Sequence, residues 1–300
     1  MRPRDFAGLI VLGALWGGAF LFIRVVVPAL GPFLLVGLRV GLAAAVLALY
    51  ALAVGRVPKI RSRWRAFLVL GLFNSAVPFS LISAAEIHLT ASLAAIINST
   101  TVMFTAMVGA VWMGEALTAK KIFGILLGIF GVAVLVGWDP LPLNGAVLLS
   151  VVAMLLASLS YALGATYAKH YFSGIPPTGM AIGQLTAATV FLLPLSAASV
   201  PEQAPSLVVV LCMLGLALLS TALAYLIYFR LIENVGPTST VTVTLLVPVF
   251  GLLFGVLLLG EPFGSGTIAG LALILCSVVL ITGIKPSAVS RQQPGRKADR

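Results

Sequence analysis

Long apolar runs, separated by short polar connections, follow one another along almost the whole chain. A helix needs about 20 mainly apolar residues to cross a bilayer, and these runs reach or approach that length. Because lipid offers the backbone no hydrogen bonds, such runs predict membrane-spanning α-helices. The predicted spans 1 to 10, in chain order, cover residues 6–27, 32–54, 66–85, 90–113, 122–136, 143–167, 177–197, 207–229, 237–259 and 267–284.

One stretch of this pattern occurs twice. Residues 90–132 align without a gap with residues 236–278, which places the Gly114-Glu115 pair on the Gly260-Glu261 pair. In each copy an apolar run, a Gly-Glu connection and a second apolar run with small residues follow in the same order. A repeat of this length indicates two homologous halves, which is a common design of membrane transporters.

The Lys and Arg residues show how the halves are oriented. They occur in the two terminal segments and in every second connection, and the connections after spans 1, 3, 5, 7 and 9 contain none. Since basic loops face the cytoplasm, both termini are predicted to be cytoplasmic. The basic positions are Arg2, Arg4, Arg56, Lys59, Arg61, Arg63, Arg65, Lys120, Lys121, Lys169, Arg230, Lys285, Arg291, Arg296, Lys297 and Arg300, apart from Arg24 and Arg39 inside the spans.

Five spans per half is an odd number, so the second half must be inverted relative to the first. The predicted fold is therefore an all-α polytopic membrane protein with ten transmembrane helices in two inverted five-helix repeats around a central cavity. Residues 1–138 form the first repeat, residues 139–285 the second, and residues 286–300 a disordered basic cytoplasmic tail. Inverted repeats place the substrate site near the midplane, between the halves.

The composition excludes several other classes of protein. Hydrophobic residues make up 61% of the 300 residues and charged residues 9%, whereas a soluble domain has about 25% charged residues. The net charge of +10 lies in connections and tails, which favours a lipid partner over nucleic acid. Cys212 and Cys276 lie within apolar runs and show neither disulfide nor metal-binding spacing.

The chain resembles the EamA-type exporters of the drug/metabolite transporter superfamily. The resemblance is carried by Trp16-Gly17-Gly18 in span 1, by Arg39 in span 2 and by the two Gly-Glu pairs. It implies a basket of ten helices in which spans 1, 3, 4, 6, 8 and 9 line the cavity and spans 5 and 10 are peripheral. Among the family's substrates are aromatic amino acids. Span 4 has Val102 where the family often has a proline, as span 9 has Pro248, so the two halves are expected to bend differently.

Polar and aromatic residues near the middle of the spans are the candidate substrate-binding residues, because polar groups within a membrane usually face protein or a water-filled cavity. They are Trp16, Phe20, Asn74, Ser75, Phe79, Asn98, Thr101, Tyr161, Ser220, Thr221, Tyr225 and Thr244, with Pro78 and Pro248 as hinge candidates. The alternative for each Ser or Thr is helix packing. Arg39, Gln184, Glu115 and Glu261 are interpreted as structural. The alternative for Arg39 is attraction of a carboxylate or a lipid phosphate, and the alternative for Gln184 is an inward-facing position.

The function predicted from this pattern is secondary transport of small amphipathic metabolites, most of all amino acids including aromatic ones. No Asp or Glu lies at the centre of a span, which favours facilitated diffusion, and an exporter of drugs or other metabolites with proton coupling is the alternative. An intramembrane enzyme is disfavoured, since both histidines lie at span ends and no catalytic residue is predicted. We expect no metal and no cofactor, and a monomer in the bacterial inner membrane.

Overall fold

The computed structural model describes residues 2–55, 60–138 and 144–283, and all regular structure within these ranges is helical. The predicted basic tail lies outside the described residues. The α-helices are α1 (Pro3–Ala53), α2 (Trp64–Gly71), α3 (Val77–Ala85), α4 (Ala91–Asn98), α5 (Thr101–Met113), α6 (Ala119–Gly137), α7 (Gly145–Tyr171), α8 (Pro177–Ala197), α9 (Leu207–Leu214), α10 (Ala224–Thr240), α11 (Val243–Leu259) and α12 (Ser265–Thr282). A 3-10 turn (Ile60–Arg63) precedes α2.

The helices are those of a multi-pass membrane protein, as predicted. Eight helical stretches in the described ranges are long and apolar enough to cross a membrane, and α11, with 17 residues, is a shorter apolar helix. Two π-helical segments, Leu72–Ala76 and Gly215–Leu223, join α2 to α3 and α9 to α10, so each pair forms one continuous helical stretch.

Two predicted loops are absent as loops. The connection between spans 1 and 2 lies within α1, where Gly31 alone leaves the helical conformation (φ 69°, ψ 166°) between Pro28 and Pro32. The connection between spans 8 and 9 lies within α10, where Gly236 does the same (φ 80°, ψ 165°). Glycine has no Cβ and adopts these positive φ values without a steric penalty. A one-residue break therefore replaces each loop that we expected.

Several helices begin at a side-chain cap that the sequence supplies. Thr90, Thr118, Asn144 and Ser206 each accept a hydrogen bond from the backbone N–H three residues further on. Such a cap satisfies one of the N–H groups that a helix start leaves unpaired. These polar residues therefore define where α4, α6, α7 and α9 start.

Contacts between helix ends sort the connections into two ends of the bundle. At one end Arg63, just before α2, donates to the Tyr171 carbonyl at the end of α7, at 2.7 Å. Lys169 reaches Glu115, which follows α5, at 2.7 Å. These cations belong to the predicted basic set, so we call this end the basic end.

The other end, which we call the distal end, holds the start of the second part of α1 and the ends of α3 and α8. Ser196 of α8 donates to the Phe33 carbonyl at 2.9 Å. Arg24 of α1 donates to the backbone carbonyls of Glu86 and, at 3.1 Å, Ile87, which follow α3. The described residues in these contacts therefore lie at two ends of the bundle, as expected for a chain that crosses a bilayer repeatedly.

Glycines allow the closest helix contacts around the bundle centre. A Cβ on Gly17 of α1 would lie 2.6 Å from the Phe250 Cβ and 2.8 Å from the Val247 carbonyl oxygen of α11. A Cβ on Gly164 of α7 would lie 2.8 Å from the Asn74 Cβ. Small residues are the usual means by which membrane helices approach each other. The contacts of α1 with α11 and of α7 with the first π-helical segment therefore depend on glycine.

Helices α6 and α12 pack against each other at one side. A Cβ on Gly124 of α6 would lie 2.8 Å from Ile281 of α12, and Ser277 of α12 donates to the Gly124 carbonyl at 2.6 Å. Much of the apolar surface of α6 is exposed, including Phe123, Leu126 and Phe130. Such a surface suits contact with lipid.

The α1–α11 contact predicts a loss of stability on substitution. Gly17→Val would force its side chain against α11, so we expect a destabilisation of about 1–3 kcal/mol and a lower Tm in detergent. Gly137→Ala is the matched control, because a Cβ there meets nothing within 4 Å. Equal thermal unfolding of the two variants would contradict this packing.

Candidate functional site

A central cavity of about 560 Å³ lies between α1, α3, α4, α5, α7, α8, α10 and α11. No residue of α6 or α12 lines it. Pockets that bind small metabolites have volumes of about 300–1,000 Å³. The size therefore suits a small-molecule ligand.

The cavity opens toward the basic end. Its lining includes Ala168 near the end of α7, Pro177 at the start of α8, and Ile232 of α10. In the opposite direction it reaches Ile23 and Ile82 and no described residue of the distal connections. The described state is therefore open at the basic end and closed at the distal end.

The two π-helical segments carry polar residues to the cavity. Leu72–Ala76 presents Asn74, and Gly215–Leu223 presents Ser220 and Thr221. A π turn widens the helix, leaves its regular hydrogen bonds incomplete and is frequent at functional sites. Thr221 donates to the Leu216 carbonyl five residues earlier, at 2.8 Å. The distortion is therefore stabilised by the same side chain that faces the cavity.

A chain of side-chain hydrogen bonds connects three helices along the wall. The Asn74 amide donates to Gln184 of α8 at 2.8 Å, and the Gln184 amide donates to the Tyr225 hydroxyl of α10 at 2.9 Å. All three residues line the cavity. Gln184 was interpreted from the sequence as structural. In the structure it lines the cavity and also connects two predicted site residues by hydrogen bonds.

Arg39 is the cation of the cavity wall. It is 6% exposed, its Nε donates to the Thr221 hydroxyl at 2.9 Å, and its guanidinium carbon lies 3.9 Å from the centroid of the Phe79 ring. Thr221 is its one hydrogen-bond partner among the described residues, so the other guanidinium donors are available to a ligand. The sequence interpretation favoured a structural role for Arg39 and kept attraction of a carboxylate as the alternative, because family resemblance says which residue recurs and not what it faces.

Aromatic rings form much of the remaining wall. Phe79 and Tyr161 lie edge to face with centroids 6.2 Å apart, and Trp16 lies 5.4 Å from Tyr228. Phe20 also lines the cavity. Such rings bury large apolar area and can contact a flat apolar group of a ligand.

A helix end lies inside the cavity between α4 and α5. Asn98 ends α4, Thr101 starts α5, and both line the cavity. The Thr101 hydroxyl donates to the Asn98 carbonyl at 2.7 Å, whereas the Asn98 Oδ1 and the Ser220 hydroxyl have no hydrogen-bond partner among the described residues. An amide oxygen accepts hydrogen bonds. The Asn98 Oδ1 can therefore accept a hydrogen bond from a cationic group of a ligand.

The predicted substrate-binding residues thus gather in one place, with one exception. All but Ser75 line the cavity, whereas Ser75 is fully buried behind the wall because its π-helical neighbour Asn74 takes the inward position. Pro78 lies in the first turn of α3, directly after the π segment, and Pro248 is buried within α11. Span 4 bends at Ser99 and Thr100, so the break there does not require a proline at Val102.

The distal end contains a buried carboxyl group directly after α3. Glu86 is fully buried, and neither of its carboxyl oxygens has a hydrogen-bond partner among the described residues. Its electrostatic neighbours are Glu261, Arg24 and Arg39. An ionised carboxyl group in such a place is costly unless it is paired. Glu86 is therefore a candidate for proton binding.

Metal chemistry has no support here. Among the described residues no group of three or more His, Cys, Asp and Glu side chains could hold a metal ion. A second groove of about 460 Å³, between Leu34 of α1 and Met213 of α9, is almost entirely apolar, so we do not regard it as a substrate site.

Apolar spanning helices around a cavity that is lined by aromatic and polar side chains and open at one end are the architecture of a membrane transporter. The chain belongs to the EamA-like transporter family, which it matches over residues 6–137 and again over residues 148–283. It is a transporter and not an enzyme, and the resemblance to EamA-type exporters is confirmed.

Relatives from two bacteria match over nearly their whole length. The chain is 27% identical to "Uncharacterized transporter YvbV" of Bacillus subtilis, covering 93% of this chain and 92% of that protein. It is 29% identical to "Uncharacterized inner membrane transporter YedA" of Escherichia coli K12 (92% and 90%) and 28% identical to a "Probable amino-acid metabolite efflux pump" of the same strain (93% and 95%). A crystal structure with a TM-score of 0.67 and 19% identity covers 93% of this chain and 96% of that one, which shows a shared fold.

The hydrogen-bond chain predicts different roles for two wall tyrosines. Tyr225→Phe leaves the Gln184 amide without its acceptor, so we expect a loss of stability of about 1–3 kcal/mol, seen as a lower Tm in detergent. Tyr161→Phe, which breaks no hydrogen bond given for the described residues, is the control and should retain the Tm. The reverse order would contradict the proposed wall structure.

Proposed function

We propose that this transporter exports small amphipathic metabolites, most of all amino acids including aromatic ones, by alternating access across the bacterial inner membrane. The observation that carries the proposal is the buried Arg39 guanidinium in the wall of a cavity that otherwise presents neutral polar groups and aromatic rings. A carboxylate is the ligand group that arginine binds best, often through two parallel hydrogen bonds.

The rest of the cavity suits the other parts of an amino acid. The unpaired Asn98 Oδ1 favours an ammonium group, because an amide oxygen accepts hydrogen bonds and an ammonium group donates them. Phe79, Tyr161 and Trp16 provide aromatic contacts for an apolar side chain. The printed name of the 28% identical relative, an amino-acid metabolite efflux pump, agrees with this substrate class.

Alternating access would follow from ten spans in two inverted halves, residues 1–138 and 139–285. Three observations support this arrangement. The family match occurs twice; Gly114 and Gly260 end α5 and α11 with nearly the same φ, 66° and 65°; and a π segment follows α2 and α9 alike. With the basic end at the cytoplasm, both termini are cytoplasmic and the described state faces inward. We further propose that the transporter acts as a monomer, since each half completes the cavity of the other.

The cavity favours transport by facilitated diffusion, because its lining contains no Asp or Glu among the described residues. Proton coupling is the second candidate, and the burial of Glu86 without a hydrogen-bond partner is the observation that favours it.

The carboxylate role of Arg39 predicts a selective loss of transport. In proteoliposomes loaded with unlabelled amino acid, Arg39→Gln should lower the affinity in counterflow of labelled amino acids by about 10–100-fold, the effect of losing a charge-assisted hydrogen bond. Arg230→Gln is the matched control, since Arg230 is exposed on α10. The wild-type protein should reject amines that lack the carboxylate; counterflow of such amines alone would overturn the proposal.

Glu86 separates the two energetic candidates. Under facilitated diffusion, counterflow by the wild-type protein and by Glu86→Gln should respond equally to an imposed pH gradient. If transport is proton-coupled, the gradient should drive accumulation in the wild-type protein only, because glutamine cannot carry a proton. Accumulation by the wild-type protein that Glu86→Gln abolishes would therefore replace facilitated diffusion by coupling through Glu86.

A further inference from the structure

The carboxylate of Glu261 joins two connections at the distal end. It accepts hydrogen bonds from the backbone N–H groups of Ala91 and Ser92, at 2.7 and 3.0 Å, and from the Ser92 hydroxyl at 2.6 Å. Ala91 and Ser92 form the first turn of the eight-residue helix α4. A carboxylate there satisfies free N–H groups and complements the helix dipole. Glu261 was interpreted from the sequence as structural without a partner, and the structure places its carboxylate at the start of α4.

Glu115 occupies the same position in the first repeat and has a different environment. Its backbone matches that of Glu261, because the N–H of Glu115 donates to Gly109 at 3.2 Å and that of Glu261 to Gly255 at 3.0 Å. Its carboxylate, however, is 37% exposed and accepts a hydrogen bond from Lys169 at 2.7 Å. That hydrogen bond lowers the pKa of Glu115, so this group is ionised at neutral pH.

The difference between the two carboxylates follows the difference between the two ends of the cavity. The end with the capped helix, at Glu261, is closed, and the end with the exposed glutamate, at Glu115, is open. An exposed ion pair such as Glu115–Lys169 contributes little and is easily exchanged. The Glu261 carboxylate is buried and depends on its donors, so it can leave α4 only if water replaces them.

Two glycines show that the Glu261 contact is packed more closely than the Glu115 contact. A Cβ on Gly255 would lie 2.3 Å from both the Glu261 Oε2 and the Ser92 hydroxyl. A Cβ on Gly109 would lie 3.2 Å from the Glu115 Oε2, whose side chain can move into solvent. The same substitution therefore disrupts the contact at one end and leaves the other end unaffected in this state.

We propose that Glu261 and Glu115 are the positioning residues of two alternating gates. Glu261 holds the distal gate closed by capping α4. When the distal gate opens, Glu261 leaves α4, and Glu115 exchanges Lys169 for the start of span 9, where Thr238 has the sequence position of Ser92. The proposal rests on the alternating access stated under the proposed function.

Labelling from each side of the membrane tests the proposal without any substrate, so its outcome is independent of the amino-acid assignment. Single cysteines replace Ile23, at the distal limit of the cavity, or Ala168, at its basic mouth, in a Cys212→Ser, Cys276→Ser background. A membrane-impermeant maleimide is applied to cells or to inverted vesicles. Glu261→Gln and Gly255→Ala should increase labelling of the Ile23 position from the distal side by about fivefold, the effect of losing a helix cap. Labelling of the Ala168 position from the basic side should decrease.

Glu115→Gln and Gly109→Ala are the matched controls in the other repeat. Because they weaken the state with an open distal gate, they should leave distal labelling of the Ile23 position equal to or below that of the parent protein. Equal labelling in all four variants would overturn the proposal. Increased labelling from both sides by Glu261→Gln would also overturn it, since a residue that only stabilises the fold would make the protein leaky and not shift it between states.

Discussion

Lipid supplies no hydrogen bonds, and the irregular helix segments of this bundle are subject to that constraint. A helix that breaks or widens inside a membrane frees backbone groups that must find partners within the protein. The carbonyl of Phe73 in the first π segment accepts from Ser160 at 2.8 Å, and that of Leu216 in the second accepts from Thr221. The first N–H groups of α4 receive the Glu261 carboxylate. These irregular segments surround the cavity or close it, and their free backbone groups find hydrogen-bond partners within the protein.

Arg39 is subject to the same constraint with a larger penalty. A buried guanidinium is costly unless it is paired, and here one hydroxyl and one aromatic ring contact it. That partial compensation leaves charge available for a carboxylate, and binding the substrate would complete the set of partners. The same reasoning applies to the unpaired groups of Asn98 and Ser220. A transporter site has to hold its substrate and then release it, and partial compensation suits both steps.

The two halves share a sequence pattern and differ in their contacts. Gly114 and Gly260 adopt the same conformation, yet Glu261 is buried on α4 and Glu115 is exposed beside Lys169. One sequence signal thus gives two environments, which agrees with the two gates proposed above. The same asymmetry explains why the cavity lining reaches Pro177 and Ile232 at the basic end and stops at Ile82 toward the distal end.

The sequence by itself determined the helical class, the membrane environment and the places where polar residues would have to face inward. These follow from apolar length, alternating charge and the cost of polar groups in lipid, all of which are local properties. For that reason the sequence could predict that Asn74, Asn98 and Thr221 line the cavity. It could not predict that Ser75 lies behind the wall, because a π turn changes which of two neighbours faces the cavity. Only the tertiary structure decided that Arg39 lies in the wall, that Gly31 and Gly236 replace loops, and that Glu261 caps α4. Each depends on which helices meet, and contacts between distant residues are set by packing and not by local pattern.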